Sequence, residues 1–258
     1  MMINIFTRLT LISAVLVSTQ AFAWNNDMTL QNTKQLTLDA QSLTALKVEA
    51  GSGFLNIVGS DTTAITVKAE IYQYEAHDNY CLNLANKGTT AQLTANNCNS
   101  NSNSNSNSNN NSNNDQQTRI DLTVALPKTF SLDITDGSGA ILIENTAATK
   151  IHDGSGAINV DTIKGDLIIE DGSGGITVNN VSGAVDIHDG SGSIDLTNTL
   201  SDVKVHDGSG NINIENVDGD VSVTDGSGGI YVDTAASFTL VADGSGRVKI
   251  KNVQKQTL

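Results

Sequence analysis

The tetrapeptide Asp-Gly-Ser-Gly occurs seven times, beginning at Asp136, Asp153, Asp171, Asp189, Asp207, Asp225 and Asp243, spaced by 17 residues once and by 18 thereafter. So strict a period demands that each unit be one supersecondary turn laid on the next. With the Asp as position one, the unit from Asp171 to His188 reads DGSGGITVNNVSGAVDIH. Aliphatics fall at positions 6 and 8 (Ile176, Val178), 11 (Val181), and 15 and 17 (Val185, Ile187). Two short runs of period two, divided by turn residues, predict strand, corner, strand, corner.

The columns repeat down the chain. Position 6 holds Ile158, Ile176, Ile194, Ile212, Ile230 and Val248, and position 8 holds Val160, Val178, Leu196, Ile214, Val232 and Ile250. The facing wall is Leu167 with Ile169, Val185 with Ile187, Val203 with Val205, and Val221 with Val223. One unit carries too few aliphatics to offset the entropy of ordering its own backbone, so coils must stack and bond to one another. The expected fold is all-β: a single-stranded β-solenoid, or β-helix, with about 18 residues per coil. Leu46 to Val58, LKVEAGSGFLNIV, reads as an earlier coil with Ala50 in place of the Asp, so the solenoid is expected to begin near residue 34.

The Asp of each unit shares the inward side with positions 15 and 17. It is expected to tuck into its corner and accept turn N–H groups, while Gly137, Gly154, Gly172, Gly190, Gly208, Gly226 and Gly244 give the backbone its freedom. These are read as structural turns. Stacked carboxylates about 5 Å apart repel by about 1 kcal/mol in water and by several times more inside a protein, so N–H donors, protons or cations must offset the ladder. The second corner, as in Asn180-Val181-Ser182-Gly183, Asn216-Val217-Asp218-Gly219 and Thr162-Ile163-Lys164-Gly165, offers Asn and Gly for positive φ.

No metal site, cofactor or catalytic residue is assigned. The calcium β-roll repeat needs an Asp where this chain has its position 6 aliphatic. His152, His188 and His206 share position 18, but Glu170, Thr224 and Ala242 occupy the same column between or beyond them. The DGSGG runs at Asp171 and Asp225 invert the order of a serine-protease GDSGG and come without a companion base. G-S-G-x-I lacks the third glycine and the helix of a dinucleotide loop. Basic side chains within the repeat, Lys150, Lys164 and Lys204, are too scattered for a polysaccharide-cleaving groove. The outward columns are too mixed for the Thr ladders of an ice-binding face, as Ser193, Asp195 and Thr197 show.

Residues 1–23 carry one basic residue, an apolar run from Leu9 to Val17 and an A-x-A end at Ala21 and Ala23, which predicts a secretory signal peptide and a mature chain from Trp24. The apolar run is short for a membrane span. Export, to the periplasm or to the cell surface and medium, makes a disulfide between Cys81 and Cys98 the expectation. A net charge of −14 argues against nucleic acid. Residues 24–258 are read as one solenoid domain, interrupted at about 77–118 by a hairpin and loop insertion with an Asn/Ser tract at 99–114. Asn and Ser alone bury no core, so the tract is expected to be a disordered loop. Arg247, Lys249, Lys251 and Lys255 make the last coil basic, either a charged cap on an open edge or a docking end for self-association.

The run GSG-x-I-x-V, a Gly corner, then V-x-I-x-DGSG, preceded by ALPKTFSLDITDGSG, resembles the bacterial "putative adhesin" family of GSG-repeat proteins. The likeness spans Ala125 to Val253, and Leu46 to Val67 more faintly. It implies a right-handed β-helix and a role in cell adhesion without catalytic residues. The functional expectation is an exported, non-enzymatic binding module for a cell-surface glycan, polysaccharide or protein. The alternative is a periplasmic scaffold in envelope maintenance with no external ligand.

Overall fold

The computed structural model describes residues 28–98 and 117–257. The expected signal peptide and the Asn/Ser tract lie outside the described residues. The chain is an all-β solenoid of about 7 turns with about 18 residues per turn. Its strands are β1 (Thr29–Asp39), β2 (Ala45–Ala50), β3 (Leu55–Ser60), β4 (Ala64–Gln73), β5 (Tyr80–Lys87), β6 (Thr90–Asn97), β7 (Thr118–Pro127), β8 (Ser131–Asp136), β9 (Ile141–Asp153), β10 (Ile158–Asp171), β11 (Ile176–Val181), β12 (Val185–Asp189), β13 (Ile194–Thr199), β14 (Val203–Asp207), β15 (Ile212–Asp225), β16 (Gly228–Asp243) and β17 (Gly246–Thr257).

From β8 onward the coils stack parallel and nearly in register. Ile158, Ile176, Ile194, Ile212, Ile230 and Val248 are successive rungs of one column, and Leu167, Val185, Val203 and Val221 are rungs of another. These columns face each other as a core in which Ile158, Ile176, Ile194, Leu167 and Ile187 are fully buried. The 17-residue first unit is absorbed as a shift between Lys164 and Leu167, beyond the second corner. A further shift in the penultimate coil places Phe238, also fully buried, opposite Val221.

The N-terminal end is built differently. β2 and β3 form a coil on β8 and β9, pairing Leu46 with Leu132 and Leu55 with Ile141. Their other edges take β6 and β7, again parallel, with Leu46 opposite Ala91 and Leu55 opposite Leu122. Antiparallel strands then finish the end: β5 on β6, β4 on β7, and β1 on β4. Residue 34, near which the solenoid is expected to begin, lies within β1, which runs antiparallel to β4, outside the coiled register. The hairpin is no pendant, since Ala91, Leu93 and Ala95 of β6 are part of the core. At the opposite end Val248, Ile250 and Val253 are only partly buried.

Candidate functional site

The first corner holds the Asp column. Asp136, Asp153, Asp171, Asp189, Asp207, Asp225 and Asp243 are consecutive rungs. All but the terminal, exposed Asp243 are buried. In five coils the Asp Oδ1 accepts the N–H of the Ser two residues on, from 3.0 Å for Ser209 on Asp207 to 3.3 Å for Ser155 on Asp153. The peptide ladder also runs through the corner: Gly190 N–H donates to Asp171 O at 3.0 Å, and Gly192 N–H to Ser209 O at 2.9 Å. Coils therefore approach as closely at the corner as within the sheets.

That approach explains both glycines. A Cβ on Gly190 would lie 2.5 Å from the Gly172 carbonyl oxygen. One on Gly192, whose φ is +150°, would lie 1.5 Å from the Gly174 oxygen. The first glycine is set by space alone and the second by space and dihedral together.

The second corner uses side chains. Position 10 is left-handed in every repeat coil, at Asn145, Thr162, Asn180, Asn198, Asn216, Thr234 and Asn252, with φ between 49° and 63°. Asn tolerates this backbone and Thr does so at some strain. Of the glycines expected to supply positive φ here, Gly165 does, at +147°, but Gly183 and Gly219 do not; a Cβ there would strike the preceding coil, 2.4 Å from Gly165 C and 2.5 Å from Ser201 C. The position 10 amides also bond along the stack. Asn180 Nδ2 donates to Asp161 Oδ1 at 2.9 Å, Asn198 Nδ2 to Asn179 Oδ1 at 2.8 Å, Asn216 Nδ2 to Asn198 Oδ1 at 3.2 Å and Asn252 Nδ2 to Asp233 Oδ1 at 2.7 Å. Sequence reading missed this amide ladder, although Asn recurring at position 10 was its visible signal.

Next to it, on the face between the corners, position 9 carries Asp161, Asn179, Thr197, Glu215 and Asp233. Asn179 Nδ2 and Thr197 Oγ1 extend the bonding, at 3.0 and 2.9 Å. Position 7 adds Asn159, Thr177, Asp195, Asn213 and Tyr231, whose hydroxyl donates to Asp233 at 2.8 Å. The result is an array of amides, hydroxyls and carboxylates that reaches the Tyr231 ring and ends, in the last coil, at Lys249 and Lys251.

On the opposite face the position 18 column contains His152, Glu170, His188 and His206. His152 Nδ1 lies 3.2 Å from Glu170, and the rings of His188 and His206 are 5.5 Å apart and tilted. Lys150 also reaches Glu170, and Lys204 reaches Asp186 beside His188. Among the described residues no group of three or more His, Cys, Asp or Glu is placed to hold a metal ion. Cys81 and Cys98 are bonded, with Cα atoms 5.1 Å apart, closing the open end of the β5–β6 hairpin. The basic residues Arg247, Lys249 and Lys251 lie on β17, where Lys249 and Lys251 also flank the Tyr231 ring. No helix among the described residues is long and apolar enough to cross a membrane.

A parallel β-solenoid with two in-register polar ladders is the class these features define. The Toastrack DUF4097 family profile matches residues 43–257, and the chain belongs to that family. Among solved structures, a "putative adhesin" from Bacteroides fragilis is 14% identical, with 88% of this chain and 97% of that one covered at a TM-score of 0.49. One from Parabacteroides distasonis, also described as a "putative adhesin", is 12% identical over 87% and 97%, with a TM-score of 0.42. No curated protein matches the chain.

Proposed function

We propose that this protein is an exported, non-enzymatic binding module whose face between the corners engages a glycan on a cell surface or in a polysaccharide. The observation that carries the reading is the side-chain ladder of positions 9 and 10, in which Asp161, Asn179, Asn180, Thr197 and Asn198 are already fixed by one another. Polar groups held in place before contact lose little conformational freedom on binding, which favours a hydroxyl-rich ligand lying across the coils. Repetition at the strand spacing of about 4.8 Å adds many weak contacts along one direction, so avidity replaces a deep pocket. The adhesin descriptions given to the structural neighbours are in keeping with such a role.

The test is binding of the labelled protein to a panel of polysaccharides and to intact cells, beside a variant with Thr177→Lys and Asn213→Lys on the same face. Saturable binding that the double variant loses supports the assignment. No saturable binding to any of them refutes it, and then the periplasmic scaffold reading takes its place.

A further inference from the structure

The Asp corner leaves one atom per coil without a partner. In Asp153, Asp171, Asp189, Asp207 and Asp225 the Oδ1 takes the Ser N–H, while the Oδ2 is sealed from solvent and accepts nothing; in Asp136 both oxygens are so placed. These six side chains are only 1% to 6% exposed. They are also direct neighbours in register, so each unsatisfied charge would face the next. A buried carboxylate in that position needs a ligand.

A cation needs room and converging oxygens; the stacked backbones leave no room between the coils, and the Oδ2 atoms are sealed from the open groove outside them that Asp153, Asp171 and Asp189 help to line. Second-glycine Cβ positions at Gly192 and Gly210 would lie 1.5 and 1.4 Å from the carbonyl oxygen of the coil before, and 3.3 Å from the Oδ2 of Asp189 and Asp207. No metal-ligand set exists among the described residues. The ligand that needs no volume is a proton.

We propose that the buried Asp column is a proton-binding ladder, in which carboxyls alternate between neutral acid and carboxylate near neutral pH, and that folding of the repeat takes up those protons. Alternation moves the remaining charges to about 10 Å apart, twice the strand spacing, and gives each uncharged Oδ2 a hydrogen to donate. Burial first, and the like charge of the next carboxylate second, push Asp136 up to about 7 and Asp171 and Asp189 up to about 6. Burial likewise pushes Asp207 up to about 6, against the Ser209 N–H that pulls it down.

The charged groups around the column are the position 18 residues His152, Glu170, His188 and His206, with Lys150, Asp186 and Lys204 one step further out. Glu49 aligns with Thr135 beside Asp136, and Asp243 is the exposed last rung. In the unfolded chain each Asp titrates near 4. The folded values are higher, so this stabilisation is complete below about pH 4 and is lost as pH rises through about 6 to 7.

The experiment is a series of urea and thermal unfolding curves of the whole chain between pH 5 and 8.5 at fixed ionic strength, in EDTA and again in millimolar calcium. Stability is expected to fall from pH 5 to about 7, with a slope equivalent to on the order of three protons at the acid end that fades to nothing above about pH 7.5, and calcium should not restore it. Asp189→Asn should raise the melting temperature at pH 8 and make the profile shallower. His188→Gln with His206→Gln, which removes the two neighbouring imidazoles beside the column, should leave the slope in place. A flat profile overturns the proposal, as does rescue by calcium or loss of the slope in the His variant. Should Asp189→Asn not fold, carbon NMR of the wild-type Asp carboxyls decides: signals that all titrate near 4 also overturn it.

Discussion

The two corners solve one problem, turning a parallel coil without breaking its ladder, by opposite means. At Asp-Gly-Ser-Gly the backbones of successive coils touch, and the Gly190 and Gly192 positions have no space for even a methyl group. At the Asn corner the unusual φ falls on position 10, joined by Gly165 in one coil, and where that position is Asn its side chain carries a second set of hydrogen bonds up the stack. A corner made by close backbone contact admits no change at its glycines, which recur in all seven repeats and again at Gly51 and Gly53, where Ala50 replaces the Asp. A corner made by a dihedral and an amide admits substitutes, and Thr162 and Thr234 stand where the other coils have Asn.

The contrast can be broken most severely at the first corner. Gly192→Ala should cost about 4 kcal/mol or prevent folding, because its Cβ overlaps the Gly174 oxygen and its φ is +150°; an unchanged urea midpoint would sink the close-contact explanation. Asn198→Ala at the second corner should cost less, about 1 to 2 kcal/mol, through a strained dihedral and the loss of bonds to Asn179 and Asn216. Thr162→Asn should move the other way and stabilise by about 0.5 to 1 kcal/mol, by relieving a β-branched residue held at a φ of 59°. The smallest effect is expected at Ser191→Ala, within about 0.5 kcal/mol: its backbone N–H serves Asp189 and its carbonyl serves Gly174, neither of which the substitution touches. A large loss there, measured by the same unfolding curves, would show that the hydroxyl itself matters.

Much of this was legible in the sequence because the repeat multiplies each signal. Alternation at positions 6 and 8, and at 15 and 17, named the inward residues from Ile158 to Val223, and the core contains them. The inward Asp followed from the same parity. The second corner was read less well, because Gly183 and Asn180 are both turn residues and only the packing of one coil on the next decides that the Asn takes the left-handed dihedral while the Gly makes room. The amide ladder escaped for a related reason: period fixes which residues are neighbours, but not which side-chain atoms bond.

The N-terminal third shows the limit most clearly. Period two in Ile65 to Gln73 or in Thr90 to Asn97 says which side of a strand is apolar and nothing about which strand lies beside it. Residues 90–97 pair with β2 and residues 118–127 with β3 although 39 and 57 residues of chain intervene, so spatial order departs from chain order. By itself the sequence determined the coil length, the inward columns and the glycine corner, since local alternation and an 18-residue period leave one way to stack identical units. Only the tertiary structure decided how the solenoid begins, which corner residue bears the strained dihedral, and that the Asp column keeps an oxygen with no partner, since each depends on contacts between segments that carry no shared period.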